Sequence, residues 1–408
     1  MKVIEINATL GFGSTGLIVK DIGELLKRSG HEVRYVYQLG DDNPSECYRV
    51  GRPFDWKIHA LFTRITGMQA WGSKNSTKKL IKYLNLEKPD VVHLHNLHSN
   101  YINLPILLKY LEEKNISTVV TLHDCWFFTG KCCHFASAFC NDWKTGCGKC
   151  PKLKEAPSSV FLDNTSLVAK EKAKLFQGIH NLTVVGCSKW ISDLAKESFV
   201  FKNCNIEQIY NGVDTDIFNI KSRSECREKY GIHADYVMLG MANKWLDERN
   251  SAVFESIVSK LSKNEVLILV GCTEVQKKAV EMYSNVIAIG FVSKREEMAD
   301  YYNLSNVFVN LTFEDTLPTV NMESIACGTP VITYNSCGSP ELVQEGKTGY
   351  IIEQLDDSAL LKAWDRIKQE AIQRSDCREI GSRMFNKNDR YEDYIFLFNR
   401  LLQKGDYN

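Results

Sequence analysis

The sequence contains no uninterrupted apolar stretch approaching the ~18 residues that a membrane-spanning helix requires. Its opening residues, MKVIEINATLGFGSTG, have neither the apolar run nor the small-residue cleavage site of a secretion signal. The expectation is therefore a soluble, cytoplasmic chain. Excess charge is also missing, with 50 Lys+Arg against 50 Asp+Glu. That balance excludes a general nucleic-acid binder, which needs a basic face to neutralise phosphates. Gly 25 and Pro 9 are too few for collagen-like or linker-rich chains, and no short repeat or low-complexity segment occurs. What the chain does have is length, 408 residues, enough for two or three domains of ~100–200 residues. It also has 14 cysteines. In a reducing compartment that many disulfides would be unusual, so the cysteines need another explanation.

Short β-branched runs alternate with amphipathic helical stretches along the chain. Val3–Asn7, Val33–Tyr37, Val91–His95, Thr118–Leu122 and Leu182–Gly186 read as strands, and Leu17–Arg28 reads as a helix stopped by Gly30. Apolar strands without polar alternation suit a parallel sheet covered on both faces. The same rhythm restarts after Asn211-Gly212. Strands are expected there at Tyr236–Met241, Val266–Gly271, Val286–Ile289, Val307–Leu311 and Val331–Tyr334, with helices at Ser251–Leu261 and Thr319–Cys327. The implied fold class is α/β, two doubly wound Rossmann-like units in tandem. The expected boundaries are 1–205 for the first domain, 206–382 for the second, and 383–408 for a C-terminal helix returning to the first. A strandless insert, cysteine-rich over about 125–151, interrupts the first domain. Lys74–Tyr83 and Lys170–Phe176 are basic segments that suit either a solvated face or anionic headgroups at a membrane surface.

Two motifs bear on phosphates and hydroxyls. Gly11-Phe-Gly13-Ser14-Thr15-Gly16 fits G-x-G-x-x-G between a strand and a helix, where glycines let the backbone approach a phosphate. A nicotinamide-binding reading would also need an acid closing the second strand. That strand ends Tyr37-Gln38-Leu39-Gly40, and Asp41 and Asp42 come too late. The second motif runs from Asn310 to Ile332. In it Asp315 lies in a polar loop, Pro318 suits a helix start, Glu323 stands in the helix and Gly328 suits its cap. Paired carboxylates can accept from sugar and ribose hydroxyls, while the freed amides at a helix start suit a diphosphate.

At these residues the sequence resembles the retaining nucleotide-sugar glycosyltransferases of the GT-B architecture, in which two Rossmann-like domains face a cleft. Glu323-Ser-Ile-Ala-Cys-Gly328-Thr-Pro330-Val-Ile is similar to the second half of that family's acid-x7-acid motif, and Gly338-Ser-Pro340-Glu341 to the segment after it. The family's first Glu falls on Asp315, one methylene shorter, beside Glu314. The resemblance implies that Asp315 binds the transferred sugar and Glu323 the ribose. Thr319 and the Gly13-Ser14-Thr15-Gly16 turn would join the donor site. The family's basic pair corresponds to Lys244 and Arg249 in swapped order, with Asn250 an equal candidate for the second position. These cations would neutralise the diphosphate as the bond breaks.

By the same resemblance His123 sits beside the transferred sugar as a catalytic-side residue, able to donate to a hydroxyl without fixed charge. Asn96, His98 and Asp124 would lie on the acceptor side. His93, His95 and His98 would not all point to one side of a strand, which argues against a metal there. Six cysteines fall between Cys125 and Cys150, and Cys147-x-x-Cys150 has metal-knuckle spacing. The resemblance singles out Cys132, Cys140, Cys147 and Cys150 for a structural zinc. An iron–sulfur cluster, an oxidised pair or buried thiols are the other readings.

The implied reaction moves a hexose-type sugar from a UDP- or GDP-sugar to a hydroxyl of a glycan or lipid-linked glycan. No cofactor is implied for catalysis, and no D-x-D pattern stands in a plausible place to contradict that. The alternatives are a nucleotide-sugar epimerase of the same fold or a catalytically degenerate sugar-nucleotide binder. The implied location is the cytoplasm, with peripheral contact at the inner membrane face.

Overall fold

The computed structural model describes residues 1–40, 45–370 and 372–405; Asp41, Asp42 and the last three residues lie outside it. The chain forms two compact units, Met1–Asn211 with Asn388–Asn408, and Gly212–Lys387.

The first unit is built on a parallel sheet of β1 (Lys2–Ile6), β2 (Glu32–Tyr37), β3 (Cys47–Arg49), β4 (Val91–Leu94), β5 (Ser117–Leu122), β6 (Leu182–Gly186) and β7 (Asn205–Gln208), in the order β3-β2-β1-β4-β5-β6-β7. Every residue of β4, β5 and β6 is buried. Burial on both faces is why these strands carry no polar alternation. Helix α1 (Gly13–Arg28) follows β1 and buries Ile18, Val19, Ile22, Leu25 and Leu26 against the sheet. Helix α2 (Pro53–Thr66) and helix α3 (Lys74–Glu87) follow β3, and helix α4 (Thr165–Gln177) closes the insert. The two short edge strands, β3 and β7, escape a reading based on apolar runs because Cys-Tyr-Arg and Asn-Ile-Glu-Gln contain none.

The second unit repeats the plan with β8 (Tyr236–Met241), β9 (Glu265–Val270), β10 (Val286–Ile289), β11 (Val307–Asn310), β12 (Val331–Tyr334) and β13 (Gly349–Ile352), in the order β10-β9-β8-β11-β12-β13. All its pairings are parallel. Strand β13 begins at Gly349, whose φ of 148° and position against the Val331 carbonyl leave no room for a Cβ. Between β11 and β12 runs helix α5 (Thr319–Ala326), with Pro318 as its N-cap rather than in its first turn. Gly328, at φ 72°, takes the left-handed turn beyond its C-cap.

Both unit boundaries fall later than the sequence suggests, at 211/212 instead of 205/206 and at 387/388 instead of 382/383. The reason is local. β7 completes the first sheet, while Val213 pairs with Asn386, receives the Lys387 N–H and donates to the Phe385 carbonyl. Helix α6 (Lys387–Gly405) then buries Tyr391, Tyr394, Leu397 and Phe398 in the core of the first unit.

Candidate functional site

In the first sheet the strand order reverses between β1 and β4, and ligands of doubly wound folds bind at the carboxyl ends beside such a reversal. There the structure assembles a buried polar chain. Glu5 on β1 is fully buried, and its Oε2 lies 2.8 Å from His95 Nε2 and 3.0 Å from His93 Nδ1. His95 Nδ1 lies 2.9 Å from His123 Nε2. On the other side His93 Nε2 is 2.7 Å from Thr121 Oγ1, which is 2.9 Å from the Tyr394 hydroxyl of α6.

Proton positions along Glu5, His95 and His123 follow from the carboxylate at one end. Burial alone would raise the Glu5 carboxyl, but the two histidines overcome it and hold it down to about 2. Glu5 is therefore a carboxylate that only accepts. Burial pushes His95 down to about 4, so it is neutral near pH 7 and has one N–H to give. That N–H must be at Nε2, facing Glu5, and His95 Nδ1 is then an acceptor. His123 is driven well below its ordinary value, first by burial and then by its histidine neighbours, so it too is neutral. Its single N–H must be at Nε2, donating to His95. His123 Nδ1 is left as an acceptor. The expectation that His123 donates to a sugar hydroxyl is thereby reversed: in this network it can accept one.

The remaining first-unit residues divide into separate groups. His98 does not join His93 and His95; its Nε2 lies 3.0 Å from Asp124 Oδ2. Burial would raise Asp124, yet His98 and the Trp126 N–H, 2.8 Å from Oδ1, hold its carboxyl at about 2. The Asn96 backbone N–H donates to Asn7 Oδ1 at 3.0 Å. At the glycine-rich turn, α1 starts at Gly13 with Ser14 exposed and Thr15 half-buried, and no side chain caps its first amides. Gly16 packs so closely on Thr9 that a Cβ would meet Thr9 Oγ1 at 2.8 Å.

The second unit has its own reversal, between β8 and β11. After β11, the Asp315 carboxylate accepts the Leu317 N–H at 3.1 Å and so shapes the loop that leads into α5. Thr319 opens that helix, and its N-cap residue, Pro318, supplies no side-chain cap. Glu323 lies in its second turn, where the Tyr302 hydroxyl donates to Oε2 at 3.0 Å. Burial raises the Glu323 carboxyl to about 7, against the pull of Tyr302 and Arg295.

The turn after β8 separates the three basic-pair candidates. Lys244 is partly covered in the short helix Ala242–Trp245. Arg249 forms a fork on Asp247, 2.9 and 2.7 Å, and stacks over the Phe313 ring at 4.1 Å. Asn250 is fully buried. Its Nδ2 donates to the Lys244 and Leu311 carbonyls, and its Oδ1 accepts from the Tyr334 hydroxyl. It ties the short helix, the end of β11 and β12 together, and each polar atom of its side chain is engaged there and not at a diphosphate.

In the insert, Cys132, Cys140, Cys147 and Cys150 line one small cavity of about 20 Å³ with Phe135 and Trp143. They are thiols rather than disulfides. The Gly130 N–H donates to Cys147 Sγ at 3.2 Å, and a hydrogen bond from the Cys132 thiol brings Cys150 down to about 7 against its burial. Among the described residues no three of these sulfurs lie within 4.8 Å of one another, so a tetrahedral ion would have to draw them closer. The donor set is that of a structural zinc. Cys125 and Cys133 stand apart from it, with Cys125 in the core and Cys133 near His98 and Asp124.

In Lys170–Phe176 the basic residues divide, with Lys170 and Lys174 exposed and Lys172 turned inward. The segment lies in α4, where Lys172 is fully buried over the Trp126 ring and donates to the Trp126 and Thr129 carbonyls. Glu5, Thr121, Tyr302 and Tyr394 were not singled out from the sequence. Glu5 did leave a signal, an acid inside the otherwise apolar run of β1.

Two Rossmann-like units, each with polar side chains at its strand-order reversal, define the class of two-domain α/β proteins that handle nucleotide-linked ligands. Comparison with known proteins makes this specific. Residues 16–217 match the model of Glycosyltransferase Family 4, and residues 247–384 match that of Glycosyl transferases group 1. The chain is 25% identical over 370 residues to the putative colanic acid biosynthesis glycosyl transferase WcaC of Escherichia coli K12, covering 85% of this chain and 87% of that one. Among solved structures it superposes on sucrose-phosphate synthase from Thermosynechococcus elongatus with a TM-score of 0.72, at 17% identity over 99% of each chain. Anabaena Alr3699/HepE in complex with UDP and glucose gives a TM-score of 0.67, at 13% identity over 98% of this chain and 99% of that one. The chain belongs to the group 1 glycosyltransferases of the GT-B architecture.

Proposed function

We propose that this glycosyltransferase moves a hexose-type sugar from a UDP- or GDP-sugar to a hydroxyl of a glycan or lipid-linked glycan, with retention at the anomeric carbon, in surface polysaccharide biosynthesis. The observation that carries the reading is Glu323, held by Tyr302 on α5, a helix whose N-cap residue Pro318 supplies no side-chain cap. A carboxylate there can take two ribose hydroxyls while the amides take phosphate oxygens. Support comes from the relatives too: the E. coli protein is named for colanic acid biosynthesis, and the Anabaena structure holds UDP and glucose.

In this reading the second unit holds the donor. Lys244 and Arg249 supply positive charge to the diphosphate, and the loop shaped by Asp315 holds the sugar. The acceptor hydroxyl attacks the anomeric carbon, the bond to the leaving phosphate breaks, and a phosphate oxygen takes the hydroxyl proton on the same face. The protein contributes position and electrostatic stabilisation. His123 accepts a sugar hydroxyl at Nδ1, and Asn96, His98 and Asp124 face the acceptor. The cysteine quartet holds a structural zinc that orders the insert and takes no part in the chemistry.

The reading is tested by titrating UDP and GDP into the protein and then assaying hydrolysis of a panel of UDP- and GDP-sugars. Tight binding of one nucleotide and slow hydrolysis of one of its sugars support it. Conversion of the sugar without acceptor or hydrolysis would instead indicate an epimerase. The buried, fully bonded Asn250 favours one second reading, a binder that has lost turnover, and binding with no hydrolysis or transfer would mark it.

A further inference from the structure

Helix α2 is amphipathic in the inverse sense for a soluble protein. Its buried residues are the polar His59 and Thr63. His59 Nε2 accepts the Gly72 N–H at 3.0 Å and Nδ1 bonds Ser73 Oγ at 2.8 Å, while Thr63 Oγ1 donates to Asn100 at 2.8 Å. The opposite side exposes Phe54, Ile58, Leu61, Phe62 and Ile65, spaced as one helical stripe, with Phe54 71% and Leu61 61% exposed. Helices of globular proteins ordinarily turn such a stripe to the core.

A second apolar segment adjoins it. The Val160 N–H donates to the Arg64 carbonyl at 2.7 Å, and Asn164 Nδ2 to the Thr66 carbonyl at 2.8 Å. This loop carries Val160, Phe161 and Leu162, all exposed, Phe161 by 73%. A continuous apolar patch of this kind marks an interaction surface.

Charge identifies the occupant. The chain as a whole is neutral, yet residues 52–82 carry seven cations and one acid, Asp55. Asp55 is engaged at its own helix start, where it accepts the Arg52 N–H. Lys57 and Arg64 are exposed on α2 among the apolar residues. Lys74 lines the same cavity as Ile58 and Phe62, and Lys78, Lys79 and Lys82 are exposed along α3. Apolar side chains that can enter an acyl layer, with long cationic stems that reach up to phosphates, suit an interfacial helix.

We propose that α2 and the 160–162 loop form a docking surface for an anionic lipid bilayer. This narrows the membrane contact suggested by the sequence to the side of the Lys74–Tyr83 segment and adds an apolar face to it, since Lys172 of the Lys170–Phe176 segment is buried. The inference stands independently of the donor chemistry.

The test is co-sedimentation of the full chain with vesicles of phosphatidylcholine mixed with phosphatidylglycerol, and with vesicles of phosphatidylcholine alone. The expected result is retention on the mixed vesicles, weakened by salt and by omitting phosphatidylglycerol. Leu61→Ser with Ile65→Ser, and separately Phe161→Ser, should each reduce the partition coefficient on the order of tenfold or more. Lys57→Glu with Arg64→Glu should act similarly. All these positions are exposed, so nucleotide binding in solution should be unchanged and reports folding in the same samples. No retention of the wild type, or equal retention of the variants, would overturn the proposal. So would a dimer abolished by the serine variants in a protein that ignores vesicles, since the patch would then join two copies.

Discussion

Glu5 Oε2 lies 2.8 Å from His95 Nε2, and neither side chain has any solvent exposure. An ionised acid buried at the middle of a sheet is costly unless it is fully engaged. Here it orients two histidines, and through His95 it sets the tautomer of His123. Glu5 is thus a positioning residue for the group expected to meet the sugar, reached across two strands.

Glu5→Gln should lower kcat for transfer by about ten- to a hundredfold, the range for outer partners that orient a functional histidine. The donor KM should hardly change, because the proposed ribose and diphosphate contacts of Glu323, Lys244 and Arg249 lie in the other unit. With His123→Asn already in place, Glu5→Gln should cost little more, since residues acting as a unit are not additive. Equal losses from Glu5→Gln in both backgrounds would show a role in folding alone. The measurement is steady-state kinetics on the two single variants and the double variant.

In its proposed place at the ribose, Glu323 should make nucleotide binding pH-dependent. Its carboxyl is raised to about 7 by burial, and only its ionised form offers both oxygens as charged acceptors to two ribose hydroxyls. Below pH 7 binding must therefore expel a proton, so UDP or GDP affinity should fall by up to about tenfold per pH unit; above pH 7 it should level off. Calorimetry in buffers of different ionisation heat should detect the released proton. Glu323→Gln should weaken binding by about 1.5–3 kcal/mol, the worth of hydrogen bonds to a charged group, and flatten this pH profile. A profile unchanged by the substitution would place the titration elsewhere.

Asn250 separates structure from chemistry at the donor side. Its amide satisfies the Lys244 and Leu311 carbonyls and the Tyr334 hydroxyl, all away from water. Asn250→Ala should destabilise the protein by about 1–3 kcal/mol, because buried partners are left unmet. The denaturation midpoint should drop while nucleotide affinity of the folded protein stays the same. A large loss of affinity at unchanged stability would put Asn250 at the diphosphate after all.

The central strands were legible because burial on both faces leaves an apolar, β-branched signature, and β6, β8 and β12 coincide with their sequence-based limits, as does the edge strand β10, whose Val-Ile-Ala-Ile run is apolar although only partly covered. The edge strands β3 and β7 were not, since Cys-Tyr-Arg and Asn-Ile-Glu-Gln contain no apolar run. Glu323, Thr319 and Gly328 could be read from spacing along one loop and helix. The Glu5–His95–His123 chain could not, because it joins residues from three strands and only the sheet order puts them side by side. Lys172 misled for the same reason: the helical wheel gives its neighbours, but not the carbonyls that draw its ammonium inward.

The cysteine quartet yields the last prediction. Four thiols around one small cavity, one accepting a backbone N–H and one brought to about 7, suit a divalent thiophilic ion. Elemental analysis of purified protein should give about one zinc per chain, the stoichiometry of a four-thiolate site. Removing it with a chelator should lower the melting temperature and make the 125–163 segment sensitive to protease, since the insert has only three short 3-10 turns of its own. Cys147→Ser should do the same, whereas Cys187→Ser, in the core but outside the quartet, should retain the metal. A metal-free protein with the same stability before and after chelation would show that the thiols simply pack.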